Sequence, residues 1–264
     1  MRLAILLTAT VKVQVIGGNF TVAERVQMYQ DTLSYYARKI GKKYPIVFLE
    51  NSDYDLTDFK LQFNPLLDIE WIQFSPGDSI PFLPQKGKGY NEYLMIKEGV
   101  AQSEKLKRCT HFLKITGRYS MLNILTIIKE IENRASDKVF MGDVKDTNIY
   151  KIVGLKNEGH WGDSRFFVAN VDFYKKNLAD CYLHMDDNHY GCWAEHYFLQ
   201  LSRENRRNKN FIFRFYHQVQ FDGVSGTTTS DLLAQGKNRQ NTIFKRMKNQ
   251  IRHVLRLLFP TVWF

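Results

Sequence analysis

Short apolar runs alternate with longer amphipathic ones along the first half of the chain. Arg2 to Val11 and Pro45 to Glu50 read as buried strands, each a run of strand length closed by polar residues. Between them, Val22 to Ile40 has the spacing of an amphipathic helix. Leu67 to Phe74 reads as a further strand, ended by the turn signal Ser75-Pro76-Gly77-Asp78. The spacing of Tyr90, Leu94, Ile96, Val100 and Ala101 predicts a helix over Asn91 to Leu106, entered from a glycine-bearing loop at Gln85-Lys86-Gly87-Lys88-Gly89. Thr110 to Ile115 follows as a strand and Met121 to Ile131 as a helix. This order predicts an α/β sheet with helices on its faces.

Beyond residue 135 the runs shorten to Lys138–Asp143, Tyr150–Leu155 and Ser164–Asn170, followed by a helical stretch from Val171 to Leu178. Ala194, Tyr197, Phe198 and Leu201 give Trp193 to Glu204 a helical period, and Phe211 to Val219 alternates as a strand does. Gly223 to Ser230 is a polar loop. With 264 residues, one catalytic-sized domain over 1–230 and an appendage over 231–264 account for the chain.

Charge sharpens that division. The net charge is +10, and residues 232–264 hold seven Lys or Arg with no Asp or Glu, leaving +3 for the rest. A nucleic-acid protein with a basic main body is thereby disfavoured, despite an isoelectric point near 9.4 and 14% aromatic residues. In the appendage, Phe244, Met247, Ile251, Val254, Leu255 and Leu258 recur at helical intervals among Lys245, Arg246, Lys248, Arg252 and Arg256, before an apolar end that includes Trp263. Such a basic amphipathic helix suits an anionic membrane surface, and equally a helix packed on its own domain. The run Leu3 to Leu7 is too short to span a bilayer and lacks a signal cleavage site. Cys109, Cys181 and Cys192, odd in number and without CxxC spacing, favour a reducing compartment.

Ligands of α/β sheets bind outside the carboxyl ends of the strands, so polar residues there are the first candidates. Thr8 and Thr10 end the first strand and Asn51 follows the second, although both places also suit a plain exit into a loop. Thr116-Gly117-Arg118 ends a strand in which Lys114 interrupts an apolar run, setting cationic donors beside a backbone that can approach a ligand closely. Lys86 and Lys88 flank glycines just ahead of a helix, an arrangement suited to phosphate and also to a solvated loop.

Three strings, Lys-Gly-x-Gly-Tyr-x-Glu at 86–92, Phe-Leu-Lys-Ile-Thr-Gly-Arg-Tyr at 112–119 and Gly-Asp-Ser-Arg-Phe-Phe at 162–167, resemble those of bacterial GT-A-like glycosyltransferases from capsule and O-antigen clusters. The resemblance spans roughly residues 1 to 230. It implies a GT-A-like, Rossmann-related mixed sheet and transfer of a sugar from a nucleotide-sugar donor to a glycan or lipid-linked acceptor. Many such enzymes hold a divalent metal (Mn or Mg) on an Asp-x-Asp motif, whose place here is taken by Thr116-Gly117-Arg118. No required cofactor is therefore expected; Arg118, with Lys114 or Lys86, would neutralise the leaving diphosphate, and Asp186 with Asp187 is the alternative metal seat. If transfer is inverting, Glu195 resembles the acidic base of that group, and Asp163 beside Arg165 is the second candidate. Trp161 and Trp193 are candidates to stack on sugar faces, or simply core residues. Ser225, in the loop from Gly223, would meet donor phosphates.

Together these expectations describe an enzyme working on the cytoplasmic face of the membrane. A basic nucleic-acid-binding protein and a non-catalytic peripheral membrane protein are the alternatives from other classes.

Overall fold

A computed structural model of the chain describes residues 1–13, 20–75, 80–148, 159–223 and 243–258. Its strands are β1 (Leu3–Ala9), β2 (Ile46–Glu50), β3 (Ile69–Gln73), β4 (His111–Thr116), β5 (Ser120–Met121), β6 (Phe140–Met141), β7 (Val144–Asp146), β8 (His160–Gly162), β9 (Phe166–Asn170), β10 (Phe211–Ile212) and β11 (Phe221–Asp222). Seven of them form one mixed sheet in the order β10-β6-β9-β4-β1-β2-β3, while β5 pairs with β11 and β7 with β8. All neighbours in the large sheet are parallel except β9, which runs antiparallel to both β4 and β6. The helices are α1 (Val22–Lys39), α2 (Thr57–Phe63), α3 (Gly87–Gln102), α4 (Glu104–Lys107), α5 (Ile124–Arg134), the single turn α6 (Val171–Phe173), α7 (Ala194–Glu204) and α8 (Ile243–Leu258). The expected α/β class, a sheet flanked by helices, is what the chain forms.

Helices cover both faces, so the central strands are largely apolar, with Lys114 of β4 the buried exception inside the run. Leu3, Ile5 and Leu7 of β1 pack with Tyr29, Leu33 and Tyr36 of α1, Phe59 and Phe63 of α2, and the isoleucines of α5. Ala4 and Leu6 point the other way, into a core with Tyr93, Leu94 and Ile96 of α3 and Phe198 of α7. The first helix starts where Thr21 and Glu24 cap each other's backbone amides, and ends on Arg38 and Lys39 beside its negative pole.

Two expectations need correction, and one helix was not expected. The third helix begins at Gly87, so both glycines of the 86–89 string lie in its first turn rather than in a loop. Helix α2, whose Phe59 and Phe63 are buried one turn apart, falls in a stretch with no strong period. The run from Phe211 pairs only as far as Ile212, because the amides of Tyr216 and His217 donate to the Glu130 carboxylate at 2.5 and 3.0 Å instead of to a neighbouring strand. Tyr150–Leu155 lies outside the described residues.

The terminal helix α8 docks by its polar side. Arg256 is buried, donating to the Phe215 carbonyl at 2.9 Å and to Asp143 Oδ2 at 3.3 Å, so it faces the body and not a membrane. His253 reaches the Tyr216 carbonyl at 3.1 Å and stacks on His217 with ring centroids 4.4 Å apart. Met247, Ile251, Val254 and Leu258, at helical intervals, are 54%, 56%, 50% and 65% exposed, so the apolar stripe points away from the protein. The side chains of Lys245, Arg246, Lys248 and Arg252, and all of Trp263 and Ser225, lie outside the described part. Among the described residues, no helix is long and apolar enough to cross a membrane.

At the carboxyl edge of the sheet β1 and β4 come very close. The Gly117 amide donates to the Thr8 carbonyl at 2.8 Å, and a Cβ on Gly117 would lie 2.6 Å from that oxygen. Gly117→Ala is expected to cost about 2 kcal/mol or more, because backbone rather than a yielding side chain opposes the new methyl. The urea midpoint of the variant against the parent measures this; an unchanged midpoint refutes the crowding.

Candidate functional site

A cleft of about 830 Å³ opens at that edge, lined by Thr8, Thr10, Asn51, Lys88, Thr116 and Arg118, and also by Arg25, Tyr29, Asn91 and Glu92. The polar strand ends hold each other in place, since Thr10 Oγ1 donates to Asn51 Oδ1 at 2.6 Å and the Thr10 amide donates to the Tyr29 hydroxyl at 2.9 Å.

Beneath the cleft lies a charge that the fold must satisfy internally. Lys114 is fully buried, and its ammonium donates to Thr116 Oγ1 at 3.1 Å and the Ser164 carbonyl at 2.8 Å, and pairs with Glu92 Oε1 at 2.9 Å. The same carboxylate accepts from the Thr8 and Thr116 hydroxyls at 2.6 and 3.0 Å. Burial alone would raise the Glu92 carboxyl, but the Lys114 charge and the Thr8 hydroxyl bring it below the usual range. Lys114 is thus a foundation under the cleft and does not reach a ligand itself, which corrects its assignment as a direct phosphate contact. Gly117 likewise serves strand contact, standing behind the cleft wall.

Four cations line the cleft: Lys12, whose ammonium donates to the Asp53 carbonyl at 2.8 Å, and three more. Arg118 lies along the Tyr119 ring, 4.7 Å from its centroid, and donates to that hydroxyl at 3.0 Å. Arg25 reaches up from α1, buried, with one donor on the Thr10 carbonyl at 2.9 Å and its Nε without a hydrogen-bond partner. Lys88 comes from the first turn of α3. Burial first, and then the Arg118 and Arg25 charges, pull the Lys88 ammonium below its ordinary value of 10.5, with Asp187 opposing.

The amino end of α3 has another partner. Asp187 Oδ2 accepts from the Lys88 amide at 2.6 Å, capping the helix from a distant loop. Gly87 sits at φ +88°, where a Cβ would lie 2.4 Å from that of Asp187, so glycine is required by conformation and by space together. The helix-end amide that the 86–89 string offered to phosphate is therefore taken by Asp187, and Lys86 turns to the Tyr90 ring, 5.1 Å from its centroid. Asp186 accepts from the Asn188 amide at 3.0 Å and pairs with His189 at 3.3 Å. These contacts give Asp186 and Asp187 structural work in place of the alternative metal seat. Among the described residues no three His, Cys, Asp or Glu side chains converge as a metal-holding group.

Antiparallel β9 brings the third string to the same edge. The Thr116 amide donates to the Arg165 carbonyl at 2.8 Å, so Asp163, Ser164 and Arg165 arrive beside the end of β4. Arg165 grips both oxygens of Asp163, at 2.9 and 2.5 Å. Ser164 joins two carboxylate systems, its carbonyl accepting from Lys114 and its hydroxyl donating to Glu195 Oε1 at 2.8 Å. Glu195, in the first turn of α7, is thereby linked to the floor of the cleft. Neither tryptophan lines the cleft. Trp161 sits on β8 under Lys145, 5.4 Å from the ring centroid, and Trp193 packs edge-on against exposed Tyr190 with its indole N–H on the Asp187 carbonyl at 3.3 Å.

No protein-family model and no curated protein matches this chain. In three dimensions it is similar to solved glycosyltransferases. Mouse xyloside xylosyltransferase 1 is 12% identical, with 81% of this chain and 85% of that one covered and a TM-score of 0.47. The glycosyltransferase GlyE of Streptococcus pneumoniae is 9% identical, with 82% and 46% covered and a TM-score of 0.49, so this chain spans less than half the length of that protein. The galactosyltransferase LgtC, solved with donor and acceptor sugar analogues, is 11% identical over 66% and 60%, with a TM-score of 0.38. At such identities the likeness concerns chain path alone, and it assigns no residue here.

Arg25, Tyr29 and Glu92 were not singled out by the sequence. Arg25 and Glu92 look like surface charges of amphipathic helices; only the phase of each helix, which turns them toward the strand ends, could have exposed them. The lowered Lys88 value carries a pH consequence. The ammonium is lost earlier than for an ordinary lysine, so affinity of the cleft for inorganic pyrophosphate is expected to fall over the alkaline range below pH 10.5. Titration calorimetry across that range checks this, with Lys88→Arg expected to flatten the profile; a flat parent profile would contradict it.

Proposed function

We propose that the chain is a GT-A-like glycosyltransferase whose cleft binds the diphosphate of a nucleotide-sugar donor. The observation that carries this reading is the convergence of Arg25, Lys88 and Arg118 on one cavity at the carboxyl ends of β1 and β4. The donor set does not fit a divalent metal, since the carboxylate on the cleft wall, Glu92, is already neutralised by Lys114. Fixed cations take that electrostatic task in this reading, and no step is routed through a metal.

The transfer is an inverting displacement. An acceptor hydroxyl oxygen attacks the anomeric carbon, the bond from that carbon to the diphosphate breaks, and the hydroxyl proton passes to Glu195. The diphosphate leaves with the bonding electron pair, and the three cations stabilise the charge it gains. Glu195 suits the base better than Asp163, because Arg165 occupies both Asp163 oxygens. The acceptor is a surface glycan, lipid-linked in this reading, of the kind made by capsule and O-antigen clusters. Residues 231–264 associate with the anionic cytoplasmic face of the membrane. Support for that comes from the outward apolar stripe of α8 and the acid-free basic composition around it.

Arg118→Ala is expected to weaken nucleotide diphosphate binding about tenfold or more, while Glu195→Gln keeps that binding and lowers kcat at least roughly 100-fold. A thermal-shift panel of UDP, GDP and CMP with their sugar conjugates, in EDTA and in Mn²⁺, followed by turnover assays, reads both. Stabilisation that appears only with Mn²⁺ would overturn the cationic donor site, and full turnover by Glu195→Gln would remove that residue as base. Separately, the Ile251→Gln, Val254→Gln pair is expected to release the protein from phosphatidylglycerol vesicles in a flotation assay; undiminished flotation would refute the role of the stripe.

A further inference from the structure

The amino end of α7 carries an aromatic surface that the donor cleft does not use. Tyr190 is 88% exposed and Trp193 38%, on the stretch that leads from Asp187 into the helix. Their rings meet edge-on with centroids 5.6 Å apart, and His196 closes the cluster, 5.2 Å from Trp193 and 5.9 Å from Tyr190. Single exposed apolar side chains are ordinary on any surface, whereas rings clustered in water are characteristic of interaction sites. The stretch beneath them is stiff. The Asp186 amide donates to the Cys192 carbonyl at 2.8 Å and the Cys192 amide to the His189 carbonyl at 3.1 Å, while the Asp187 amide donates to the Lys86 carbonyl at 3.0 Å. The loop is thus closed on itself and fastened to the start of α3. With the Trp193 indole held on the Asp187 carbonyl as well, a ligand finds the rings in place and little side-chain entropy left to lose.

From these rings a groove of about 750 Å³ runs along α7. His196, Tyr197, Gln200 and Glu204 recur every three or four residues, so they share one face of the helix, and Trp193 at its N-cap precedes them in the same phase. His184 stands across from them, its ring stacked on that of Tyr197 at 5.8 Å. Gln200 donates to Glu204 at 2.9 Å, and Nδ1 of His196 is buried without a hydrogen-bond partner among the described residues. The described lining includes no lysine or arginine, so it lacks the fixed cations that phosphate or nucleic acid requires. It suits an uncharged polyol: imidazole, amide and carboxylate groups hold hydroxyls, and the C–H face of a sugar ring lies on the negative face of an aromatic one. A folded protein fits less well, because two aromatic side chains supply at most roughly 500 Å² of contact, short of the about 800 Å² that a stable interface takes from each partner. The position is specific too. Glu195 lies on the other side of the same helical turn, accepting from the Ser164 hydroxyl, and the Asp187 that holds Trp193 also caps Lys88 on the wall of the donor cleft.

We infer that this groove binds an uncharged oligosaccharide, the part of the acceptor chain behind the unit that receives the new sugar, with Tyr190 and Trp193 stacked on its rings. Its place in transfer rests on the glycosyltransferase reading; the binding itself does not. The test titrates the full chain with maltohexaose, cellohexaose and chitohexaose by calorimetry, beside glucose and N-acetylglucosamine. At least one hexasaccharide is expected to bind saturably and about tenfold more tightly than its monosaccharide, because one sugar unit covers one ring and leaves the second bare. Tyr190→Ala and Trp193→Ala are each expected to weaken that binding about tenfold, and Tyr190→Phe to keep the parental affinity. The Tyr190 ring projects into solvent, so truncating it leaves the fold intact. No saturable binding of any hexasaccharide, equal affinity for hexasaccharide and monosaccharide, or affinity unchanged by Tyr190→Ala would overturn the subsite. If Tyr190→Ala instead lowers flotation on phosphatidylglycerol vesicles and leaves glycan affinity unchanged, the rings belong to the membrane surface and the subsite is likewise overturned. Nucleotide thermal shifts, expected to be parental in Tyr190→Ala, keep the two readings apart: hexasaccharide binding without any nucleotide response would support the groove and remove the glycosyltransferase reading, and a nucleotide response without hexasaccharide binding would do the reverse.

Discussion

A lysine at the centre of an apolar sheet sets the terms for everything around it. The Lys114 ammonium cannot remain unpaired there, because an isolated buried charge is far costlier than any packing it could gain. Glu92 from α3, the Ser164 carbonyl from the strand entering β9 and the hydroxyl of Thr116 meet that demand together. Four separate stretches of chain are thereby pinned to one point, since Thr8 on β1 joins through the same carboxylate. The cleft is the space left above this knot.

Above the floor the balance reverses. Glu92 and Lys114 cancel, so the charge seen from the cleft comes from Lys12, Arg25, Lys88 and Arg118, each supplied by a different stretch of chain. The Lys88 ammonium is held below its ordinary value by burial first and by the Arg118 and Arg25 charges second. On the proposed reading, an arriving diphosphate meets cations already in place, a form of preorganisation that leaves little rearrangement for the binding step.

Much of the architecture was legible beforehand because apolar period and strand length follow directly from burial. The strands ending at Ala9, Glu50 and Thr116, and the helix opening at Val22, stand within two residues of their expected limits. Thr8, Thr10, Asn51, Thr116 and Arg118, taken from the strand ends, line the cleft, as does Lys88, taken from the string ahead of α3. What escaped depends on contacts distant in sequence. Asp187 caps a helix 99 residues earlier, so nothing local to Lys86-Gly87-Lys88 reveals that its amide is occupied. Arg256 reads as one more cation of a basic helix until Phe215 and Asp143 are seen to enclose it. Amphipathicity gives the two sides of a helix; it does not say which side the body will claim.

That last choice has a consequence for how α8 meets its surroundings. An amphipathic segment that folds only on contact loses chain entropy at that moment, and its affinity is lowered accordingly. Here the helix is already formed and clamped through Arg256 and His253, so the ordering has occurred before any encounter. Whatever covers Met247, Ile251, Val254 and Leu258 meets a rigid ridge about 16 Å long. A rigid ridge also transmits direction: once it is seated on a plane, the tilt of the whole sheet relative to that plane is fixed, and so is the side from which the active edge is approached.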